Sequence, residues 1–502
     1  MACQRKEVIF LVLASVFALF LFFSNLGNIY LWQDEAQTAL ISKTVLKFGV
    51  PKGFDGTNFF SQELGAEYGK DYVWKWHTWF PFYLLAGCFK IFGISTFTAR
   101  LPFAIFGVGC LFLTYFFSKS LWKSQKAALF TLWLLLFSIP FLILSRQCRY
   151  YSLTAFFSVA FMYSYYLILQ NKRSGPVLFL LSCLFLFHTH YVYLATAMCT
   201  IAVHSVLFHR DQWKPIWLWS GIGIILNLPW VIWLSGMKYG EQYSAKIFNW
   251  SSFIYKLIGF VHLVHEHIFS FFILLVPILV GLWCLFKKKE DEPFWKNKEL
   301  ISNFSLPVLF ILITMVALSL TAPAPFFRYL APLIPFFFMI MGILFALAGR
   351  IHVVVGVLLV IGVILLGPVK PYLYEITHDF NGPIEGIVKY LNEHAHKDGT
   401  VAITYGDLPI KFYTGLRVFG GLTGEDLTPA VDADWIILRR NIICSKDYNV
   451  RTFLIKHVNG NNYDRHELAY PDTPFENRES PNEHLFKTAT NYPPVVLFQK
   501  RK

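Results

Sequence analysis

Leu31-Trp32-Gln33-Asp34-Glu35 follows the first apolar run of the chain and opens a polar stretch that continues to Pro81. Two adjacent carboxylates at the mouth of a hydrophobic segment are costly beside lipid unless they serve chemistry or pairing. Every other long segment of the first three-quarters of the chain is apolar, so this stretch is what the spans either anchor or face. A second reading of the pair stays open, in which Asp34 and Glu35 begin a juxtamembrane helix and offset its dipole.

The surrounding composition is that of a membrane protein. Of 502 residues 55% are hydrophobic and 18% aromatic, with a mean hydropathy of +0.48, too apolar for a soluble enzyme of this length. The net charge of +13 does not indicate nucleic acid. Residues 375–502 carry 15 Lys/Arg against 17 Asp/Glu, so the basic excess, 29 against 14, lies within residues 1–374. Basic loops at a membrane surface account for it. The cysteines sit mostly in apolar runs, at Cys88, Cys110, Cys183, Cys199 and Cys284, and Cys444 alone follows residue 375. They supply neither a disulfide framework nor a CxxC metal site. Met1 to Phe23 has the charged start and apolar run of a signal peptide without a small-residue cleavage site before Asn25, and reads as an uncleaved first span.

A crossing helix needs about 20 apolar residues. That length places spans near 8–24, 100–117, 127–144, 152–170, 175–190, 191–208, 213–236, 268–286, 300–320, 329–349 and 351–368. Within the tight pair at 175–208, His188-Thr189-His190-Tyr191 is the only polar hinge. Trp79 to Phe92 is shorter than a crossing, ends beside Lys90, and reads as an interfacial helix. About eleven crossings result. The loops 119–126, 172–173, 210–214, 287–298 and position 350 then hold thirteen Lys/Arg on the cytoplasmic side, against six (Arg146, Arg149, Lys238, Lys246, Lys256, Arg328) in the opposite short loops. The acidic stretch and the C-terminal region are then exoplasmic. Two domains follow: a transmembrane domain over 1–370 and a soluble α/β domain over 371–502. In the latter, Ile384, Ile387, Val388 and Leu391 recur at helical spacing. Residues 400–404, 435–438 and 495–498 read as buried strands, and Asn459 to Asn491 as loop.

This topology collects Asp34, Glu35, Lys75, His77, Arg146, Arg149, Tyr150, Tyr151, His188, His190, Glu266, His267, Arg328 and Tyr329 on the exoplasmic face. Carboxylates can take a proton from an attacking hydroxyl, and Arg binds phosphate oxygens in a bidentate fork, so the set suits a reaction on a phosphorylated, lipid-bound substrate. Plainer readings stand beside it. Arg146, Arg149 and Arg328 also fit snorkelling anchors, and Tyr150 and Tyr151 an interfacial belt. His188 and His190 fit hydrogen-bonded structure. His265-Glu266-His267 could hold a divalent cation with a ligand from the first loop, although alternate His on a helix point to different faces. Ala322-Pro323-Ala324-Pro325 stiffens the approach to Arg328-Tyr329, a pair able to bind a phosphate headgroup.

Taken in order, these segments resemble the polytopic glycosyltransferases of the GT-C class, in the branch of protein O-mannosyltransferases and 4-amino-4-deoxy-arabinose lipid A transferases. The residues that carry the resemblance run over 1–370: Asp34-Glu35, Trp79 to Gly93, Thr98-Ala99-Arg100-Leu101-Pro102, Ser145 to Ser152, Thr189-His190-Tyr191, and Arg328-Tyr329-Leu330-Ala331-Pro332 with Pro335. The resemblance implies inverting transfer of a sugar from a polyprenyl-phosphate donor to an exoplasmic lipid, glycan or protein acceptor in the cell envelope. The implied setting is a bacterial inner membrane, with membrane lipids and no nucleic acid as partners. By the same resemblance Asp34 is the general base, supported by Glu35. Arg149 and Arg328, with Tyr329, Lys75 and Arg146, bind the donor phosphate, and His77, Tyr150, Tyr151 and His190 line the substrate. The chain departs from the pattern at three places. Lys75-Trp76-His77-Thr78 replaces a Lys-Pro-Pro sequence and Trp74 the acid before it. Tyr151 stands where an acid is common, and Ser270 where Arg is common. The expectation is an enzyme with no required metal, Glu266 and His267 being the metal candidates left open. The rival readings are a transporter or flippase of lipid-linked sugars and a scaffold of an envelope assembly. Paired inverted halves with broken spans, which a transporter would show, are not evident in the sequence.

Overall fold

The computed structural model describes residues 2–235, 249–273, 275, 279, 298–349, 352–440, 445–474 and 477–501. The expected span 268–286 lies largely outside the described residues. So do Lys238, Lys246, Arg350, Cys284, Cys444 and nearly all of the basic loop 287–298. The described residues divide into two compact units, one from residues 2–24, 103–235 and 249–372, the other from 25–102 and 373–501.

The first unit is helical because its runs are apolar on all sides, and in lipid a backbone must satisfy its own polar groups. Helices Ala2–Phe23, Tyr151–Leu169, Trp213–Ser235, Lys298–Thr321, Ile334–Ala348 and Val353–Leu366 cover expected spans, as does Thr96–Trp122, which enters this unit at Phe103. The span expected at 127–144 is two helices, Gln125–Leu136 and Ile139–Arg146, bent by 61°. Pro140 lacks an N–H and stands in the first turn of the second helix, whose Phe141 N–H donates to the Ser138 hydroxyl.

Two helices occupy Gly175–Phe208, and His190 between them is extended (φ −164°, ψ 103°). The chain reverses there. Phe179 packs on Phe161 at 4.7 Å between ring centroids. Tyr165, one turn further along the same helix, is 2.9 Å from His204 Nδ1. In a straight helix residues 179 and 204 would stand about 37 Å apart. A Cβ at Gly223 would likewise meet both Cys183 and Met198, at 2.7 and 3.6 Å. Two antiparallel helices therefore flank the polar hinge. Among the described residues seven helices are long and apolar enough to cross a membrane, and nine if each bent pair counts once. The reversal at His190 divides one of these into two.

The second unit joins the first polar stretch to the C-terminal region. Helix Gln33–Phe48 packs against Phe80–Phe92, and residues 49–79 between them form a loop pinned by the bridges Lys52 with Val73 and Tyr68 with Trp74. At about 1.5 Å per residue Phe80–Phe92 is too short to cross the hydrocarbon core. The C-terminal part is a mixed five-stranded sheet in the order β2-β1-β3-β5-β4. Its strands are β1 (Thr400–Ile403), β2 (Arg417–Gly420), β3 (Trp435–Ile437), β4 (Tyr463–Pro471) and β5 (Pro494–Lys500). β1 runs parallel to β2 and β3, whereas β5 is antiparallel to β3 and β4. One face carries Ile384, Ile387, Val388 and Leu391 of helix Pro383–His394 against Val401, Ile403, Trp435 and Ile437. On the other face Phe419 and Ile436 pack with Val450 and Leu454.

One expectation is corrected here: the segment from Asn459 to Asn491 is not all loop, because β4 occupies Tyr463–Pro471. β4 lies at the sheet edge and buries only Tyr463 and Leu468 fully, so its polar composition hides it from an apolar-run criterion. β2 holds only two large apolar residues, Val418 and Phe419, between Arg417 and Gly420, too few to stand out as an apolar run.

Candidate functional site

In the second unit the acidic pair begins helix Gln33–Phe48, where its charge meets the positive end of the helix dipole. The two carboxylates have different environments. Glu35 is wholly buried and takes a bidentate pair from Arg100, Nε to Oε1 at 2.8 Å and Nη2 to Oε2 at 2.6 Å. The same guanidinium donates to the carbonyls of Leu26, Ile29 and Tyr30. Glu35 is thus tied to the loop ahead of the helix, beside Asp34. Asp34 is partly exposed, and its Oδ1 accepts from Gln62 Nε2 at 3.1 Å.

Gln62 connects Asp34 to a third carboxyl that the sequence reading passed over. Glu67 is buried, its Oε1 accepts from Gln62 N at 2.7 Å and Gln37 Nε2 at 3.4 Å, and its Oε2 from the Ser61 hydroxyl. Burial pushes the Glu67 carboxyl up to about 7, against the pull of the Ser61 and Gln62 donors. Lys75 and His77 are half-buried in the same loop, the Lys75 N–H donating to the Glu67 carbonyl at 2.8 Å and the His77 ring lying edge-on to Trp76.

In the first unit the cationic candidates part ways. Arg146 donates to the Leu21 carbonyl at 3.1 Å and lies over the Tyr372 ring, so it ties helix Ala2–Phe23 in place. Arg149 and Arg328 are instead drawn into one aromatic cluster. Arg149 lies over Tyr150, whose ring is 5.1 Å from both Tyr151 and His190. His190 is 4.6 Å from Tyr193, whose hydroxyl donates to the Tyr329 carbonyl at 3.0 Å. Arg328 lies over Phe326 and Tyr329. The reversal at His190 is what brings Arg149 and Arg328, far apart in sequence, to the two ends of this chain of rings. His188 turns away onto Trp230.

The metal candidates do not converge. His265 accepts from the Phe271 N–H, while His267 packs edge-on to Phe327. Glu266 is 3.4 Å from His262 and 3.7 Å from His267. Among the described residues no three His, Cys, Asp or Glu side chains come together as a metal site.

Tyr193, Gln62 and Glu67 were missed in sequence because none stands in a recognisable pattern. Arg100 was visible in its Thr98–Pro102 run, but its pairing with Glu35 is made only by the fold.

No family model matches the sequence, and no curated protein does. Solved structures do. ArnT from Cupriavidus metallidurans in the apo state is 13% identical and superposes over 99% of this chain and 98% of its own, with a TM-score of 0.65. The same protein bound to undecaprenyl phosphate gives 13%, 97% of each chain and 0.60. The arabinofuranosyltransferase AftD from Mycobacteria gives 14% and 0.53, covering 99% of this chain and 41% of AftD. With its apolar helices, the chain is an integral, multi-pass membrane protein that has the GT-C glycosyltransferase fold.

Proposed function

We propose that the protein is an inverting glycosyltransferase that moves a sugar from a polyprenyl-phosphate carrier to an exoplasmic acceptor, with its C-terminal α/β region on the exoplasmic side of a bacterial inner membrane. One observation carries the reading: of two adjacent carboxylates, one is locked by Arg100 while Asp34 stays partly exposed in the first turn of a buried helix. The fold it shares with ArnT, a protein whose structure holds undecaprenyl phosphate, supports the choice of carrier.

In this mechanism the acceptor hydroxyl or amine attacks the anomeric carbon from the side opposite the phosphate. The new C–O or C–N bond forms as the C–O bond to phosphate breaks, and Asp34 takes the acceptor's proton. The electron pair leaves with the polyprenyl phosphate, whose charge Arg149 and Arg328 receive. Tyr150, Tyr193 and Tyr329 shape the site around that charge. Holding the acceptor in line supplies a further part of the acceleration.

The test is incubation of the purified protein with a panel of undecaprenyl-phosphate pentoses and hexoses, followed by mass analysis of lipid and acceptor products. Asp34→Asn should abolish transfer while donor binding persists, and Arg328→Ala should weaken donor binding at least tenfold, about 1.4 kcal/mol. Full activity in Asp34→Asn removes the proposed base, and unchanged donor affinity in Arg328→Ala reassigns the phosphate site.

A further inference from the structure

In open α/β sheets, ligands bind outside the carboxyl ends of the parallel strands. Here β1 leaves its carboxyl end through Gly406, in the left-handed region at φ +88°, into helix Asp407–Thr414. What this end holds is the chain's own residues 30–33. The Tyr30 N–H donates to Glu385 Oε1 at 2.7 Å, and the Leu31 N–H to the Tyr413 hydroxyl at 2.9 Å. The Gln33 amide donates to Asp407 Oδ1 at 2.8 Å and accepts from the Leu408 N–H at 3.4 Å. The rings of Tyr30 and Tyr413 stack at 4.1 Å.

The holding groups are themselves fixed. Since the Tyr413 oxygen accepts from Leu31, its own proton is available to Thr96 Oγ1, 2.7 Å away. Asp407 and Lys411 form a fully enclosed pair at 2.6 Å, so the charge facing Gln33 is balanced without solvent. Lys411 also donates to the Phe59 carbonyl at 2.9 Å, three residues before the Gln62 that holds the Asp34 carboxylate. Gln33 and Asp407 are buried. A buried polar network of this kind favours one arrangement, because displacing any member leaves a buried group unsatisfied.

We infer that helix Asp407–Thr414 of the α/β region positions the catalytic carboxylate: Asp407 and Tyr413 grip the residues immediately before Asp34 and set its direction. The inference rests on the reading of Asp34 as the base. Asp407 and Tyr413 are positioning residues and touch no reactant.

The experiment uses the full chain in detergent micelles. Hydrogen exchange read by mass spectrometry over residues 29–38 is compared for wild type, Tyr413→Phe, which keeps the stacked ring and deletes the hydroxyl, and Gln33→Met. The same proteins are assayed with those undecaprenyl-phosphate sugars that the wild type uses. Exchange at 31–34 is expected to rise about tenfold and kcat to fall about tenfold or more, with the donor KM within about twofold. Unchanged exchange in both single variants of an active enzyme overturns the positioning role alone, as does faster exchange with kcat intact. Faster exchange in a protein whose wild type transfers no sugar overturns the glycosyltransferase reading, and with it the role of the grip in catalysis.

Discussion

Arg100→Met removes the cation from an enclosed pair and leaves the Glu35 carboxylate with no opposing charge from that side chain. Breaking one partner of a buried pair costs about 3–5 kcal/mol. Arg100 also serves three carbonyls, of Leu26, Ile29 and Tyr30. At about 1 kcal/mol each these bring the total to about 6–8 kcal/mol, comparable with the whole stability of a domain. At about 2–4 °C per kcal/mol, the thermal midpoint in detergent should fall by at least 12 °C, roughly, if the unit still folds. Adding Glu35→Gln removes the stranded charge, so the double variant should regain about half of the loss. The assay is a thermal melt followed by tryptophan fluorescence, for both single variants and the double. A midpoint within about 2 °C of wild type for Arg100→Met, or a double variant less stable than Arg100→Met, would refute the account of this pair.

Glu67→Gln tests the buried carboxyl beside the Asp34 anchor. Because burial raises this group from 4.5 to about 7, the folded chain binds more protons than the unfolded one across that window, and stability falls as pH rises through it. The penalty is fully present above about 7, so the variant should gain up to about 3 kcal/mol over wild type at pH 8 and nothing at pH 4. Melts at both pH values check this, and a gain independent of pH would contradict it. Gly342→Ala would place a Cβ 2.2 Å from Thr131 Oγ1 and 2.7 Å from the Ala127 carbonyl, where helix Ile334–Ala348 crosses Gln125–Leu136. With backbone on one side of the clash the expected loss is about 1–3 kcal/mol, and an unchanged melt would show that the helices separate without cost.

The spans that the described helices cover were legible because each is a run of apolar residues long enough to be recognised locally. The same holds for the helix at 383–394 and for β1, β3 and β5, which have apolar faces. β4 was not legible, since an edge strand needs few apolar residues and takes its hydrogen bonds from a partner distant in sequence. The hinge at 188–191 could be read as a polar interruption, but whether it ends one helix or turns the chain back depends on contacts such as Phe179 with Phe161.

At the site, sequence alone determined which residue types were available: an acidic pair after the first span, arginines beside tyrosines, and a basic excess confined to the apolar part of the chain. Those are properties of neighbouring residues. Only the tertiary structure separated Glu35 from Asp34, through Arg100 at a distance of 65 positions, and Arg146 from Arg149, through the Leu21 carbonyl. It also set Gln33 against Asp407 across 374 positions. A charged side chain acquires its role from what desolvates and pairs it, and the groups that do so here are brought together by folding rather than by order along the chain.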